Sequence, residues 1–531
     1  MIFALADLFE SIADAVGERE AVVCGNRRLD YRSLDERATR LAHALRDAGV
    51  GAGDHVALYL FNGTEYLEAA LAAYKIRAVP INVNYRYVEE ELRYLFDDAD
   101  VVAVVHHAEL SPRLDRIAPD LAKLALAIHV DDGSGLACRD LRSIDYETAL
   151  ADASTERSFP ARSPDDLYIL YTGGTTGMPK GVMWRQEDVF FAALGGGNPM
   201  GQPIEQPEEL AANARAKSMQ MTMFPVAPLM HGAAQWASFM ALFGGDRLVL
   251  YDGKHFDAHR IWELVERESV QSIAIVGDAM ARPLAEALAS GNRRYDTSSL
   301  VVVGSGGAIL SPAVREELTR RLGDVLILDS FGVSETGFQG RGSQARAEGA
   351  PRFHVDETTV VLDEALRPVE PGSGAVGRLA RRGRVPLGYY KDAAKSARTF
   401  VTVDGTRYAL PGDMASVESD GSITLLGRGS VCINSGGEKV FPEEVEAVLK
   451  AHPAVFDVLV VGVSDARWGQ RVAAIVAPRT GADVSLEDLQ RHCRDRIAGY
   501  KVPKSVRVVD AIVRHPSGKP DYRWARQVAE S

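Results

Sequence analysis

The sequence predicts an α/β protein: a large N-terminal domain of mostly parallel α/β layers with a β-rich part, then a small α+β C-terminal domain. Three observations predict it. Residues 20–130 alternate short apolar, strand-like runs with helical patterns. Residues 355–426 break into short strand-like runs separated by Gly and Pro. After residue 430 the pattern becomes helix, strand, strand, helix, strand over about 100 residues, a usual domain size. The boundary is placed at 429/430, giving 1–429, with 355–429 its β-rich part, and 430–531.

At the N-terminal end, Glu20–Cys24 and Arg28–Tyr31 flank Gly25-Asn26, a hairpin signal. Ser33 with Glu36 reads as a capping box for a helix through roughly Asp47, stopped by Gly49. Strands are expected at His55–Leu60, Ala78–Val83 and Val101–Val105, with helices at Thr64–Lys75 and Val88–Phe96. His106-His107 lacks a partner at metal-ligand spacing and reads as an ordinary loop pair. Later come a polar surface excursion at Pro199–Ala216, an amphipathic helix at Asp257–Glu268 and strands at Ser272–Val276, Val301–Val303 and Val325–Leu328. The C-terminal domain should hold helices at Glu443–Lys450 and Ser485–Ile497, and strands at Phe456–Val463, Arg471–Ala477 and Ser505–Val509.

A chain of 531 residues, 46% hydrophobic, can bury a large core in two to four structural units. A net charge of −13 and the lack of a large Lys/Arg cluster argue against nucleic acid as a partner. Cys24, Cys138, Cys432 and Cys493 lie far apart, which points to a reducing cytoplasm. Asp7 and Glu10 interrupt the N-terminal apolar stretch, so it does not read as a signal peptide. No run approaches the roughly 18 apolar residues needed to span a bilayer, so any membrane contact is peripheral at most.

The chemistry concentrates in Thr172-Gly173-Gly174-Thr175-Thr176-Gly177-Met178-Pro179-Lys180-Gly181, directly after an apolar strand at Asp166–Leu170. Four glycines let backbone N–H groups approach an anion, three threonines add hydroxyls, and Lys180 adds a charge. That is equipment for the phosphates of a nucleotide. It is not a Walker loop, because Gly181 follows the lysine where Ser or Thr would stand. Gly304–Ala308 lacks the third glycine of a dinucleotide fingerprint, Ile309 standing in its place. Asp329-Ser330-Phe331-Gly332-Val333-Ser334-Glu335 sets an aromatic face, an acceptor, a hydroxyl and a hard oxygen ligand in one turn. Gly332-x-Ser334 has Thr336 where a nucleophile elbow needs glycine, and a hydrolase using Ser334 has no recognisable triad histidine downstream.

Asp413 can accept from ribose hydroxyls and Arg428 can bridge ribose and phosphate. Five of the eleven methionines fall between 219 and 240, which suits either a pocket for a bulky apolar ligand or a Met-rich core strand. His231 closes that strand before Gly232.

Together these motifs, in their order, resemble the AMP-forming adenylate-forming superfamily of acyl-CoA synthetases, amino-acid adenylation domains and luciferases. The resemblance runs over nearly the whole chain. It implies ATP, Mg²⁺ and coenzyme A as co-substrates and a two-step reaction: a carboxylate attacks the α-phosphate to give acyl-AMP and pyrophosphate, then a thiol displaces AMP. It implies a C-terminal domain that rotates about a hinge. By position, Thr172 to Lys180 match the phosphate loop, Gly306, Gly307 and Ala308 the adenine wall, and Asp329 the contact to the adenine amino group. Ser330 and Gly332 flank Phe331, which matches the stacking aromatic. Ser334 and Glu335 match the pair that meets α-phosphate and Mg²⁺, and Asp413 and Arg428 the ribose contacts.

Lys519 matches the lysine that bridges carboxylate and α-phosphate, Gly436 and Gly437 the thiol passage, and Ser430 the hinge. His231, with Met223, Met230 and Trp236, matches the acyl-pocket side. Three positions depart from the pattern: Gly173 for serine, Ser334 for threonine, and Ser430 for Asp or Lys. The runs Tyr171–Trp184, Ala308–Gly340 and Gly427–Glu444 are most similar to actinobacterial fatty-acyl and sterol side-chain CoA ligases. The resemblance therefore implies a medium- or long-chain fatty acid or sterol side-chain acid as substrate. No carrier domain follows Ser531, which favours free CoA, and transfer to an acyl carrier protein is the alternative. The sequence leaves a homo-oligomer open.

Overall fold

The computed structural model describes residues 1–531 apart from 140, 175–176, 200, 292, 309, 343–350, 436–437, 466–467, 495 and 516–518. Two compact units emerge, each built from three stretches of chain. One comprises Met1–Ile275, Arg293–Val303 and Arg384–Phe400; the other comprises Val276–Asn292, Gly304–Gly383 and Val401–Ser531.

In the first unit an eight-stranded sheet runs Gly388–Tyr389, Gly177–Arg185, Leu167–Gly174, Val79–Asn82, His55–Tyr59, Val101–His107, Leu126–Val130, Arg142–Asp145. From Leu167–Gly174 onward the neighbours are parallel. Parallel strands need crossover helices that cover both faces, and helix Thr64–Lys75, every residue of it buried, is one of them. A second set of strands places Glu20–Cys24, Arg247–Leu250, Thr222–Pro225 and Ser272–Ile275 side by side, all parallel.

The second unit carries the β-rich part, where antiparallel neighbours run Leu326–Val333, Gly337–Gly342, Arg352–Val355, Ile423–Arg428, Asp413–Val417, Val376–Arg382. Its C-terminal portion is a five-stranded sheet centred on Val455–Asp465 and Gly469–Pro478. Apolar clusters cover both faces of that sheet, one including Val458, Val460 and Leu489, the other Leu459, Val461 and Ala525. Alternate residues of one strand thus feed different cores, the period-two rule of a strand buried on both sides.

Most expected elements stand where the sequence puts them, including the Gly25 turn (φ +59°) and helix Thr64–Lys75. Four readings need correction. The first long helix begins at Tyr31, and its cap is Asp30, whose carboxylate accepts the Ser33 N–H at 2.7 Å; Ser33 is inside the helix. The polar stretch before Ala216 holds a helix, Glu208–Ala216, that buries Leu210 and Ala214. His106 and His107 end a strand rather than forming a loop, and buried His106 faces the Cys138 thiol at 3.6 Å. The strand expected to stop at Leu170 runs on through Gly174.

Candidate nucleotide site

In the first unit the glycine-threonine stretch is the tip of a β-hairpin. Leu167–Gly174 pairs antiparallel with Gly177–Arg185, so Thr172 stands opposite Lys180 and Gly174 opposite Gly177. Directly opposed residues project to the same face, which puts the Thr172 hydroxyl and the Lys180 ammonium on one side. Thr175 and Thr176 lie outside the described residues.

Lys180 is held by groups that the sequence did not flag. A hydrogen bond to Tyr94 raises its pKa, with Asp98 and Asp392 adding to the effect. Its Nζ lies 3.6 Å from Asp392 Oδ2. Asp392 in turn caps helix Ala393–Thr399 by accepting the Lys395 N–H at 3.0 Å, which helps hold its carboxyl below the usual range. No local pattern links residues 94, 180 and 392, which come from a helix, a strand and a helix cap.

The root of the hairpin is clamped. Asn82 Oδ1 accepts the Tyr171 N–H, and its amide donates to the carbonyls of Tyr171 and Met230, all at 2.8 Å. That ties the phosphate hairpin to the segment leading into His231, which is the N-cap residue of helix Gly232–Phe243. Met230 is 2% exposed and belongs to the sheet's core, so for this side chain the core alternative describes its surroundings. Met223 and Trp236 are half-buried. The Trp236 indole N–H donates to Tyr168 Oη at 3.1 Å, and Tyr168 donates to Gln235, fixing that face of the helix.

In the second unit, strand Val302–Ser305 enters Gly306-Gly307-Ala308. A Cβ on Gly306 would lie 2.8 Å from Ser330 Oγ, so glycine is what admits the next strand so closely. Ser330 Oγ donates to the Ser305 carbonyl at 3.1 Å. Asp329 and Phe331, two apart on a strand, share a face. The Phe331 ring packs on Phe353 at 4.6 Å. Asp329 Oδ2 accepts from Arg315, while buried Oδ1 has no hydrogen-bond partner among the described residues. Burial raises the Asp329 pKa and Arg315 pulls it back. An orphan carboxylate oxygen beside an aromatic suits an exocyclic amino group.

Ser334 and Glu335 occupy the turn between antiparallel strands Leu326–Val333 and Gly337–Gly342. A nucleophile elbow joins a strand to a helix, so this hairpin is not one. Glu335 offers a hard carboxylate oxygen of the kind Mg²⁺ takes.

Asp413 and Arg428, fifteen positions apart, are direct cross-strand partners with Arg428 Nε 3.3 Å from Asp413 Oδ1. Lys519 joins them. Next to it Pro520 bridges to Arg514, and the His515 N–H donates to the Lys519 carbonyl at 2.9 Å. Arg514 is anchored on Asp457 at 2.8 Å. Burial and the nearby Arg428 cation lower the Lys519 pKa, while Glu335 and Asp413 oppose the shift. Burial raises the Asp413 pKa, and Arg428 opposes that most. Lys519 and Asp413 are thus both within electrostatic reach of Arg428 and Glu335, residues far apart in the chain. Gly436 and Gly437 lie outside the described residues, and Ser430 falls in the short 3₁₀ turn Gly429–Val431.

Two further groups border this cluster unannounced. Glu443, in the first turn of helix Pro442–Lys450, packs its carboxyl against Gly427, where a Cβ would come within 2.2 Å. Burial, then Glu446, pushes its pKa up to about 8. Lys450, 6% exposed, sits 3.4 Å from Asp278 and 3.6 Å from Asp457.

An orphan acceptor beside a ring, a carboxylate–arginine pair and a lysine amid carboxylates are groups that could hold a nucleotide. The chain belongs to the AMP-binding enzyme family, whose model matches residues 9–390, with the family's C-terminal domain matching 444–519. It is 49% identical over 533 residues to the 3-oxocholest-4-en-26-oate–CoA ligase of Rhodococcus rhodochrous, covering 99% of this chain and 96% of the relative. It is also 49% identical to the medium/long-chain-fatty-acid–CoA/3-oxocholest-4-en-26-oate–CoA ligase of Mycobacterium marinum, with the same coverage. Among solved structures it resembles the anthranilate CoA ligase AuaEII in complex with anthranoyl-AMP, at TM-score 0.85 and 22% identity over 99% of this chain and 97% of that one. That likeness speaks to the fold, a large N-terminal domain of mixed sheets and a smaller C-terminal domain. No helix among the described residues is long and apolar enough to cross a membrane.

Proposed function

We propose that this chain is an AMP-forming acyl-CoA ligase for medium- to long-chain fatty acids or sterol side-chain acids, using ATP, Mg²⁺ and free CoA. The observation that carries the reading is the convergence of Lys519 with Glu335, Asp413 and Arg428. The activities in the names of the two relatives support the substrate class.

In this scheme Asp329 Oδ1 accepts from the adenine amino group and Phe331 supplies a stacking face. Asp413 accepts from the ribose hydroxyls, with Arg428 holding its carboxylate in place. Thr172 and Lys180 bind the phosphates that leave as pyrophosphate, and Asp392 and Tyr94 keep the Lys180 ammonium aimed and charged. Mg²⁺ bound at Glu335 would neutralise phosphate charge. Lys519 draws the acid's carboxylate toward the α-phosphate and offsets the negative charge that builds there. Ser334 donates to an α-phosphate oxygen. His231, Met223 and Trp236 face the acyl side, and Gly436 and Gly437 line the thiol's approach. We assign residues 1–429 to the catalytic core and 430–531 to a small domain that swings about Ser430. The wide spacing of Cys24, Cys138, Cys432 and Cys493 along the chain supports a cytoplasmic location.

A pyrophosphate-release screen over short, medium and long fatty acids and steroid side-chain acids, with and without CoA, tests this. Acid-dependent release with the longer or steroid acids, and thioester only with CoA, is expected. No acid-dependent release, or ester cleavage without ATP that Ser334→Ala abolishes, would overturn it.

A further inference from the structure

Beneath the Ser334–Glu335 turn lies a buried polar set that the scheme above does not use. Thr336 is fully buried; its hydroxyl accepts the Val333 N–H at 3.2 Å and donates to Gln339 Oε1 at 2.8 Å. The Gln339 carbonyl accepts from Thr359 Oγ1 at 3.1 Å, and Gln339 is 2% exposed. Next to it, the Arg381 guanidinium, on a strand residue paired directly with Thr359, donates to the Phe338 carbonyl. Arg381 is 6% exposed. Arg381 Nε and Gln339 Nε2 have no hydrogen-bond partner among the described residues.

Among the described residues no carboxylate pairs with this guanidinium; burying it so is costly, and the Phe338 carbonyl is a small return. Burial accordingly lowers the Arg381 pKa, and Asp356 opposes the shift. An apolar residue would pack that strand position at less expense. What the arginine grips, however, is the backbone of the hairpin that presents Ser334 and Glu335. Phe338 is the direct partner of Gly332, and Val333 of Gly337. The hairpin is also unusually tight, since a Cβ on Gly332 would fall 2.0 Å from the Gly337 carbonyl oxygen. Such a turn has no slack of its own, so whatever holds residues 336–339 also sets where the hydroxyl and carboxylate at 334–335 point.

We infer that Arg381 and Gln339, with Thr336, are positioning residues that fix the Ser334–Glu335 turn for the adenylation step. The inference rests on the adenylation reading above. It separates the two half-reactions, because the turn is asked to hold α-phosphate and Mg²⁺ while acid and ATP react, and has a lesser part once acyl-AMP exists. The test measures pyrophosphate release from acid and ATP, the Mg²⁺ concentration for half-maximal rate, and thioester formation from prepared acyl-AMP and CoA. It compares wild type with Arg381→Met, Arg381→Lys and Gln339→Met.

Arg381→Met and Gln339→Met should lower pyrophosphate release ~10- to 100-fold, the scale of a misplaced catalytic group. Both should raise the Mg²⁺ requirement, while the acyl-AMP reaction stays within about twofold. Arg381→Lys, which keeps a donor for the Phe338 carbonyl, should recover most of the loss. Equal losses in both half-reactions, or no loss in either, would overturn the inference. If Arg381→Met does not fold, the near-isosteric Gln339→Met carries the same comparison. A wild type that releases no pyrophosphate would instead overturn the functional reading.

Discussion

Lys519 is the cation that the proposed mechanism sets at the reacting carboxylate, and its neighbour Pro520 is bridged to Arg514, which pairs with Asp457. Lys519→Ala should therefore cut acid-dependent pyrophosphate release by ~10²–10³, the usual cost of one transition-state donor. Thioester formation from prepared acyl-AMP should persist, and the two rates can be measured separately. Asp329 offers a second test. Removing its orphan oxygen with Asp329→Ala should lower kcat/KM for ATP by about tenfold, one hydrogen bond's worth to a charged group. The same substitution should narrow the preference for ATP over GTP, as competition kinetics would show.

Elements account for the next set of effects. The hairpin of Leu167–Gly174 and Gly177–Arg185 depends on Gly181, where a Cβ would sit 2.7 Å from the Tyr171 ring. Tyr171 cannot easily retreat, since its hydroxyl donates to Asp98 at 2.8 Å and its backbone is clamped by Asn82. Gly181→Ala should cost about 1–3 kcal/mol of stability, visible as a lower Tm.

Helix Pro442–Lys450 makes a prediction about pH. The folded Glu443 carboxyl binds a proton up to about pH 8, whereas unfolded it releases it near 4.5. Its raised pKa thus erodes stability as pH climbs between those values, by at most about 1.4 kcal/mol per unit. Glu446, raised to about 7 chiefly by burial, pulls in the same direction, and Asp413 faces Glu443 with the same sign of charge. Glu443→Gln should shrink the Tm difference between pH 6 and pH 8 without abolishing it. An unchanged difference would show that Glu443 is ionised in the folded protein.

For the molecule as a whole, what the sequence made legible was local. The glycine-framed strand ends, the Asp329–Glu335 run and the helix–strand alternation all depend on neighbours within a dozen positions, and period and turn chemistry report such neighbours well. Asp392 on Lys180, Arg315 on Asp329 and Arg381 under the Ser334–Glu335 turn were not legible. Each is a contact across a sheet or helix layer, and an isolated Asp or Arg carries no sign of what folds against it. The helix inside the polar excursion was missed for a related reason: its apolar face is only a few residues wide.

The strand Gly388–Tyr389 has a consequence in time. It completes the edge of the sheet beside the phosphate hairpin, where Leu387 and Tyr390 donate to the carbonyls of Met183 and Gly181. About 200 residues of synthesis separate the hairpin from this last strand. At typical elongation rates that is ~10–40 s during which a growing chain carries an unsealed strand edge. The hairpin completed at Arg185 therefore waits for Gly388–Tyr389 before its outer strand gains a partner.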